Sequence, residues 1–170
     1  MKLLLIYIIV GNLLLATAAP VAAQTADELN QAGLDHFNKG FYEATPRGES
    51  AKAAEEYSLA EQSFQAAIRS NPDWIEPYVH LGRTYFVQEQ YRQAAELYQK
   101  ALTMEPQRKE IYLQLASALE KAGDYRGAVK VLQTLRTQET DERSIAKLDE
   151  VIKRLQARAQ AAPSNKEGGR

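Results

Sequence analysis

No cysteine occurs among the 170 residues. That excludes a disulfide framework, a thiolate zinc site, a cysteine nucleophile and a lipid-modified N-terminal cysteine. Two histidines and nine glycines are little material for metal or phosphate chemistry, so no metal and no cofactor is expected. Neither sign of charge dominates: 21 Lys and Arg stand against 22 Asp and Glu, for a net charge of −1. With the signs interspersed, no basic face able to hold nucleic acid is expected. None of Ser50, Ser58, Ser63, Ser70, Ser117 and Ser144 stands in a nucleophile-elbow context. The carboxylates are spread as helix-surface charges, so the chain reads as no enzyme. What is present, 45% hydrophobic residues over a length suited to one domain, points to an Ala- and Gln-rich helical interaction domain.

The first residues read as an export segment. Met1-Lys2 is a minimal positive start, and Leu3 to Leu15 is an apolar run broken only by Gly11-Asn12. Small residues follow, and Val21 and Ala23 stand three and one residues before Gln24, the spacing that signal peptidase needs. Residues 1–23 are therefore expected to be a signal peptide, and the protein to be periplasmic or extracellular. The alternative is an uncleaved anchor, since Leu3 to Ala23 is just long enough to span a hydrocarbon core of ~30 Å. A membrane association follows only in that case.

Self-similarity appears at a period of about 34 residues. In a frame starting at Ile75, large apolar side chains occupy positions 4, 7, 11 and 24 (Tyr78, Leu81, Tyr85, Tyr98). Small ones occupy 8, 20 and 27 (Gly82, Ala94, Ala101), and Pro106 stands at 32. The frame from Lys109 gives Tyr112, Leu115, Ala116, Leu119, Ala128, Leu132 and Leu135, with Thr140 in place of the proline. Positions 4, 7, 8 and 11 share one face of a first helix, and 20, 24 and 27 one face of a second. Gly82 or Ala116 lets the second helix approach closely, while Pro106 punctuates the junction. One hairpin cannot bury its apolar stripe alone, so successive pairs must stack.

An earlier repeat, about 26–74, is split. Leu29, Ala32 and Gly33 fit positions 4, 7 and 8, and Gly40 fits the turn at 15. Tyr57, Ala60, Phe64, Ala67 and Pro72 fit 17, 20, 24, 27 and 32, which leaves residues 41–55 as an insertion. Its second helix is expected to start early, near Ser50, after the turn signal Thr45-Pro46-Arg47-Gly48. The insertion is either a tolerated loop or a recognition element. Repeats at 75–108 and 109–142 follow, then a helix over 141–159 with the apolar stripe Ile145, Leu148, Ile152 and Leu155. The repeat frame fails there, with Asp149 and Glu150 where large and small apolar residues belong, so this helix is expected to cap the stack. Residues 160–170 are expected to be a disordered tail. The domain is then 24–159.

The small/large pattern resembles the tetratricopeptide repeat family, with Tyr78 where that family has Trp. The resemblance implies an all-α superhelix of three helix hairpins plus a C-terminal capping helix. It further implies a groove lined by the first helices, whose frame positions fall on Asn30, Leu34, Phe37, Val79, His80, Arg83, Phe86, Leu113, Gln114 and Ser117. Phe37, Val79, Phe86 and Leu113 are large, apolar and outside the internal pattern, which marks a partner site unless the insertion or the capping helix covers them. Family members that clamp a C-terminal carboxylate use positions that here hold Asn30, Leu34, His80, Glu110 and Gln114. Glu110 would repel a carboxylate, so that clamp is absent. The expected partner is an extended or helical segment of another protein in the cell envelope, with Arg83 reaching an acidic residue. The alternative is self-association through the ends or convex faces of the stack, or a membrane-tethered assembly factor. Trp74 reads as a packing residue.

Overall fold

The computed structural model describes residues 24–161; the export segment and positions 162–170 of the expected tail lie outside them. Among the described residues there are seven α-helices and no strand. They are α1 (Ala26–Asn38), α2 (Ser50–Ser70), α3 (Glu76–Val87), α4 (Tyr91–Met104), α5 (Lys109–Lys121), α6 (Tyr125–Gln138) and α7 (Glu142–Ala161). Each helix packs on the next in sequence, with α1 also touching α3. None is long and apolar enough to cross a membrane.

The pairing of each hairpin is set at frame positions 8 and 24. A Cβ on Gly33 would come within 2.5–2.9 Å of the Phe64 ring, and one on Gly82 within 2.8–3.1 Å of the Tyr98 ring. Only a hydrogen fits there. In the third hairpin Ala116 replaces glycine, and the facing Leu132 is smaller than an aromatic ring. The stacking between hairpins repeats as well. Tyr78 at position 4 donates its hydroxyl to the carbonyl of Pro72 at 3.0 Å, and Tyr112 does the same to Pro106 at 3.0 Å. At the third junction Thr140 stands where the proline would be. There Glu139 Oε1 accepts from the Thr140 and Asp141 amides, and its Oε2 lies 3.0 Å from Lys109 Nζ. Those amides and the ammonium hold the Glu139 carboxyl down to about 2.

Gly40 makes no turn. The first helix of the split repeat runs on through a π-helical segment, Lys39–Ala44, and a 3₁₀ turn, Thr45–Arg47. The left-handed residue that reverses the chain is Gly48, at φ 70°. Gly40 instead lies against the Tyr57 ring, which a Cβ would approach to 2.9 Å. Gly33 and Gly40 are thus seven residues apart on one helix, and Phe64 and Tyr57 seven apart on the other. The insertion repeats the glycine–aromatic contact two turns further out and lengthens both helices, rather than forming a loop. In the second and third hairpins the turn keeps its place, at Glu89 (φ 62°) and Gly123 (φ 84°).

Helix α7 starts at Glu142, where Asp141 Oδ2 accepts from the Ser144 amide at 2.8 Å. Counted from Glu142, the frame places Ile145, Leu148 and Ile152 at 4, 7 and 11, and Leu148, Ile152 and Leu155 are buried. The helix closes the end of the stack as the expected cap, its stripe keeping the spacing of a first repeat helix but displaced by one residue from the frame read at Arg143. Asp149 then falls at the small position. No second helix follows to pack there among the described residues, and the carboxylate is held by the Arg136 guanidinium. Helix α7 also continues to Ala161, past the expected end at 159.

Candidate functional site

Helices α1, α3 and α5 carry the ten residues expected to line a groove, and the structure divides them into two groups. Asn30, Leu34, Phe37, Val79 and His80 serve internal packing. Val79 belongs to the core of the second and third hairpins, and Leu34 packs half-buried against the core of the first. Phe37 is only 2% exposed, contrary to its expected place on the surface. The lengthened first hairpin is the reason: Phe41 stacks on it at 5.6 Å between ring centroids, and Tyr57 lies at 6.0 Å. Asn30 is buried too, with its Oδ1 2.9 Å from His80 Nδ1. The imidazole N–H donates to that amide oxygen, and its ring lies 5.5 Å from Phe64. Burial pushes the His80 pKa below its ordinary value of 6.5. Arg83 and Arg108 push the same way, and Glu76 opposes them.

Arg83, Phe86, Leu113, Gln114 and Ser117 form the second group. Together with Tyr98 from α4 they line an open cavity of about 310 Å³ between α3 and α5. Leu113 is 50% exposed at its mouth. Phe86 is half-buried, edge-on to Tyr91 at 5.3 Å. Burial raises the pKa of the Tyr98 phenol, against a smaller opposing pull from Arg83, so that wall carries no charge. Arg83 is exposed, and its guanidinium lies 4.7 Å from the Phe37 ring centroid and 5.8 Å from that of Phe41. Phe37 therefore supports the groove from beneath instead of lining it. Gln114 Oε1 is buried and accepts no hydrogen bond.

Two features of this site escaped the sequence reading. Tyr98 was assigned to the internal pattern alone, although it also walls the cavity. The aromatic seat under Arg83 depends on Phe41, from the insertion. The matched seven-residue spacing of Gly33/Gly40 and Tyr57/Phe64 was the available signal for that extension. No group of three or more His, Asp or Glu that could hold a metal ion occurs among the described residues. His36 lies 2.7 Å from Glu56 with no further ligand beside it.

The family profile described as tetratricopeptide repeat matches residues 88–159, from the end of α3 through most of α7. No curated protein matches the sequence. Several solved structures share the fold. The TPR2B domain of yeast Sti1, solved in a pHsp70 complex, is 18% identical, with 80% of this chain and 96% of that one covered and a TM-score of 0.57. The Yersinia enterocolitica type III secretion translocator chaperone SycD is 16% identical, with 84% and 92% covered and a TM-score of 0.60. PcrH, solved with the chaperone-binding region of PopD, is 19% identical, with 82% and 98% covered and a TM-score of 0.59. At these identities the likeness is one of fold.

Proposed function

We propose that this chain, which matches the tetratricopeptide repeat profile over residues 88–159 and shares that fold, is a non-catalytic adaptor that seats a segment of another protein against α3 and α5. The cavity between those helices carries this reading. It places an exposed leucine, a half-buried phenylalanine and an unpaired guanidinium around one opening, the mixture of apolar anchor and polar rim that protein interfaces use. Sti1, SycD and PcrH have each been solved with, or are named for, a protein client, which supports the same use of the fold. The clamp for a terminal carboxylate is not part of the proposal: Asn30 is engaged by His80, and Glu110 is exposed on the first turn of α5. Residues 1–23 support a location in the cell envelope after export.

A photo-cross-linking side chain placed at Leu113 of the full-length protein tests the site in intact cells. The expected result is a discrete adduct with another polypeptide that fades when Phe86→Ala is added while helicity by circular dichroism is unchanged. Adducts that form from Gln99 on α4 but never from position 113 would refute the groove. For the location, N-terminal sequencing should find Gln24 first; a chain still beginning at Met1 would contradict cleavage and leave a tethered protein.

A further inference from the structure

We propose that the cavity beside Arg83 selects a segment presenting one large apolar side chain next to a carboxylate, with Arg83 holding the carboxylate and Gln114 accepting a main-chain N–H. The inference rests on the groove reading above and adds the chemistry of its occupant.

Three observations converge on it. Arg83 is exposed and has no carboxylate within ion-pair distance among the described residues, whereas Glu76 on α3 and Glu120 on α5 are matched. Glu76 is held by Arg108 at 3.2 Å, and Glu120 by Arg158 at 2.6 Å and Arg154 at 3.7 Å. Its guanidinium is fixed in orientation by the Phe37 and Phe41 rings. Stacking uses the face of that plane and leaves the N–H groups at its edge free for a bidentate partner. The second observation is the cavity itself, about 310 Å³ between Phe86 and Leu113, room for one leucine or phenylalanine side chain. The third is Gln114 Oε1, a buried acceptor on the cavity wall with nothing to accept from. A buried carbonyl without a donor is costly, and the amide of a segment lying across α5 supplies one. Glu110, one turn before Leu113, repels a carboxylate at the opposite end and so fixes the segment's direction.

The stretches of this chain outside the described residues do not fit. Residues 1–23 contain no Asp or Glu, and 162–170 contain Glu167 but no large apolar side chain. The occupant is therefore a segment of another protein.

Random dodecapeptides displayed on phage, selected on the full-length protein, test this. The expected winners carry Asp or Glu at a constant spacing from Leu, Ile or Phe. On Arg83→Glu the same winners should bind at least about tenfold more weakly, and fresh selection should replace the acid by Lys or Arg. Ser117→Trp, which fills the cavity, and Leu113→Gln, at an exposed site that tolerates change, should each lose the winners while keeping wild-type helicity. Apolar winners without acids, indifferent to Arg83→Glu but lost in Leu113→Gln, would overturn this inference and leave the groove reading standing. Winners indifferent to all three variants would overturn both. So would an absence of winners together with a dimer, seen by light scattering, that Leu113→Gln dissolves, because a second copy would then fill the site.

Discussion

Gly33→Ala adds one methyl group where the first hairpin is tightest. The new Cβ would sit 2.5, 2.6 and 2.9 Å from three carbons of the Phe64 ring, against the 3.5–4.0 Å or so at which carbon atoms rest. Relief requires about 1 Å of movement, and the ring has little freedom to supply it. Phe64 is fully buried, and its other neighbour is the His80 imidazole, itself tied to Asn30. Overpacking of this kind costs about 1–3 kcal/mol, and a contact this short belongs at the upper end. Alanine recovers about 1 kcal/mol of helix propensity. The net expectation is a loss of about 2 kcal/mol, or about 1 M in the urea midpoint for a slope near 2 kcal/mol/M. The third hairpin shows the remedy, because Ala116 faces Leu132 there. Adding Phe64→Leu to Gly33→Ala should therefore restore more stability than independent effects allow, by at least about 1 kcal/mol in a double-mutant cycle. Circular dichroism in urea measures all four proteins. A neutral Gly33→Ala, or a cycle with no coupling, would refute glycine's role as a spacer.

Three further outcomes follow from particular residues. Glu89 holds a left-handed turn that Gly123 occupies one repeat later, so Glu89→Gly should raise stability by about 1 kcal/mol in thermal melts; no change or a loss contradicts that. Tyr112→Phe and Tyr78→Phe each remove a hydroxyl from a proline carbonyl, costing about 1 kcal/mol apiece. Tyr112→Phe should cost more, because Gln138 Nε2 also donates to that hydroxyl at 3.1 Å, and equal losses would count against the assignment. His80 gives up its proton in the folded protein more readily than in the unfolded chain. Its contribution is therefore complete above the ordinary value of 6.5 and is lost as pH falls from there toward the folded value. Urea midpoints at pH 7.5, 6.5 and 5.5 should fall more steeply for the wild type than for His80→Gln; parallel curves would show that His80 does not titrate across this range.

The second and third hairpins were legible because every element of their packing recurs: the small residue, the ring or leucine opposite it, and the tyrosine aimed at the preceding proline. The sequence misled at two places, for different reasons. A one-residue shortening between Leu135 and Ile145 changes no periodicity inside either helix, yet it moves Asp149 and Glu150 into apparent core positions when counting continues from the previous repeat. Gly40 resembled a turn because glycine there suits either a reversal or a close approach, and only the partner ring decides. Tyr57 decides for the approach, and the reversal passes to Gly48. Exposure on the groove face was harder still to read. Phe37 sits at a groove position, but the same extension that displaced the turn brought Phe41 and Tyr57 over it.

That burial reassigns the work of the groove among the repeats. Phe37→Ala should now cost about 3–5 kcal/mol of stability, and any loss of binding would follow from unfolding or from a misplaced Arg83. Asn30 is occupied by His80, and Leu34 by the aromatic cluster. The first hairpin thus contributes support for Arg83 and no independent contact, so discrimination between partners must come from α3 and α5. Binding should accordingly respond to Leu113→Ala without a change in the urea midpoint, to Phe86→Ala beyond what its lost packing on Tyr91 explains, and to Phe37→Ala only through folding or the placement of Arg83. Isothermal titration with a selected peptide, run beside urea melts of the same three variants, separates these cases. If Phe37→Ala weakened binding further in an Arg83→Ala background, at full helicity and unchanged midpoint, the first hairpin would have to touch the ligand directly.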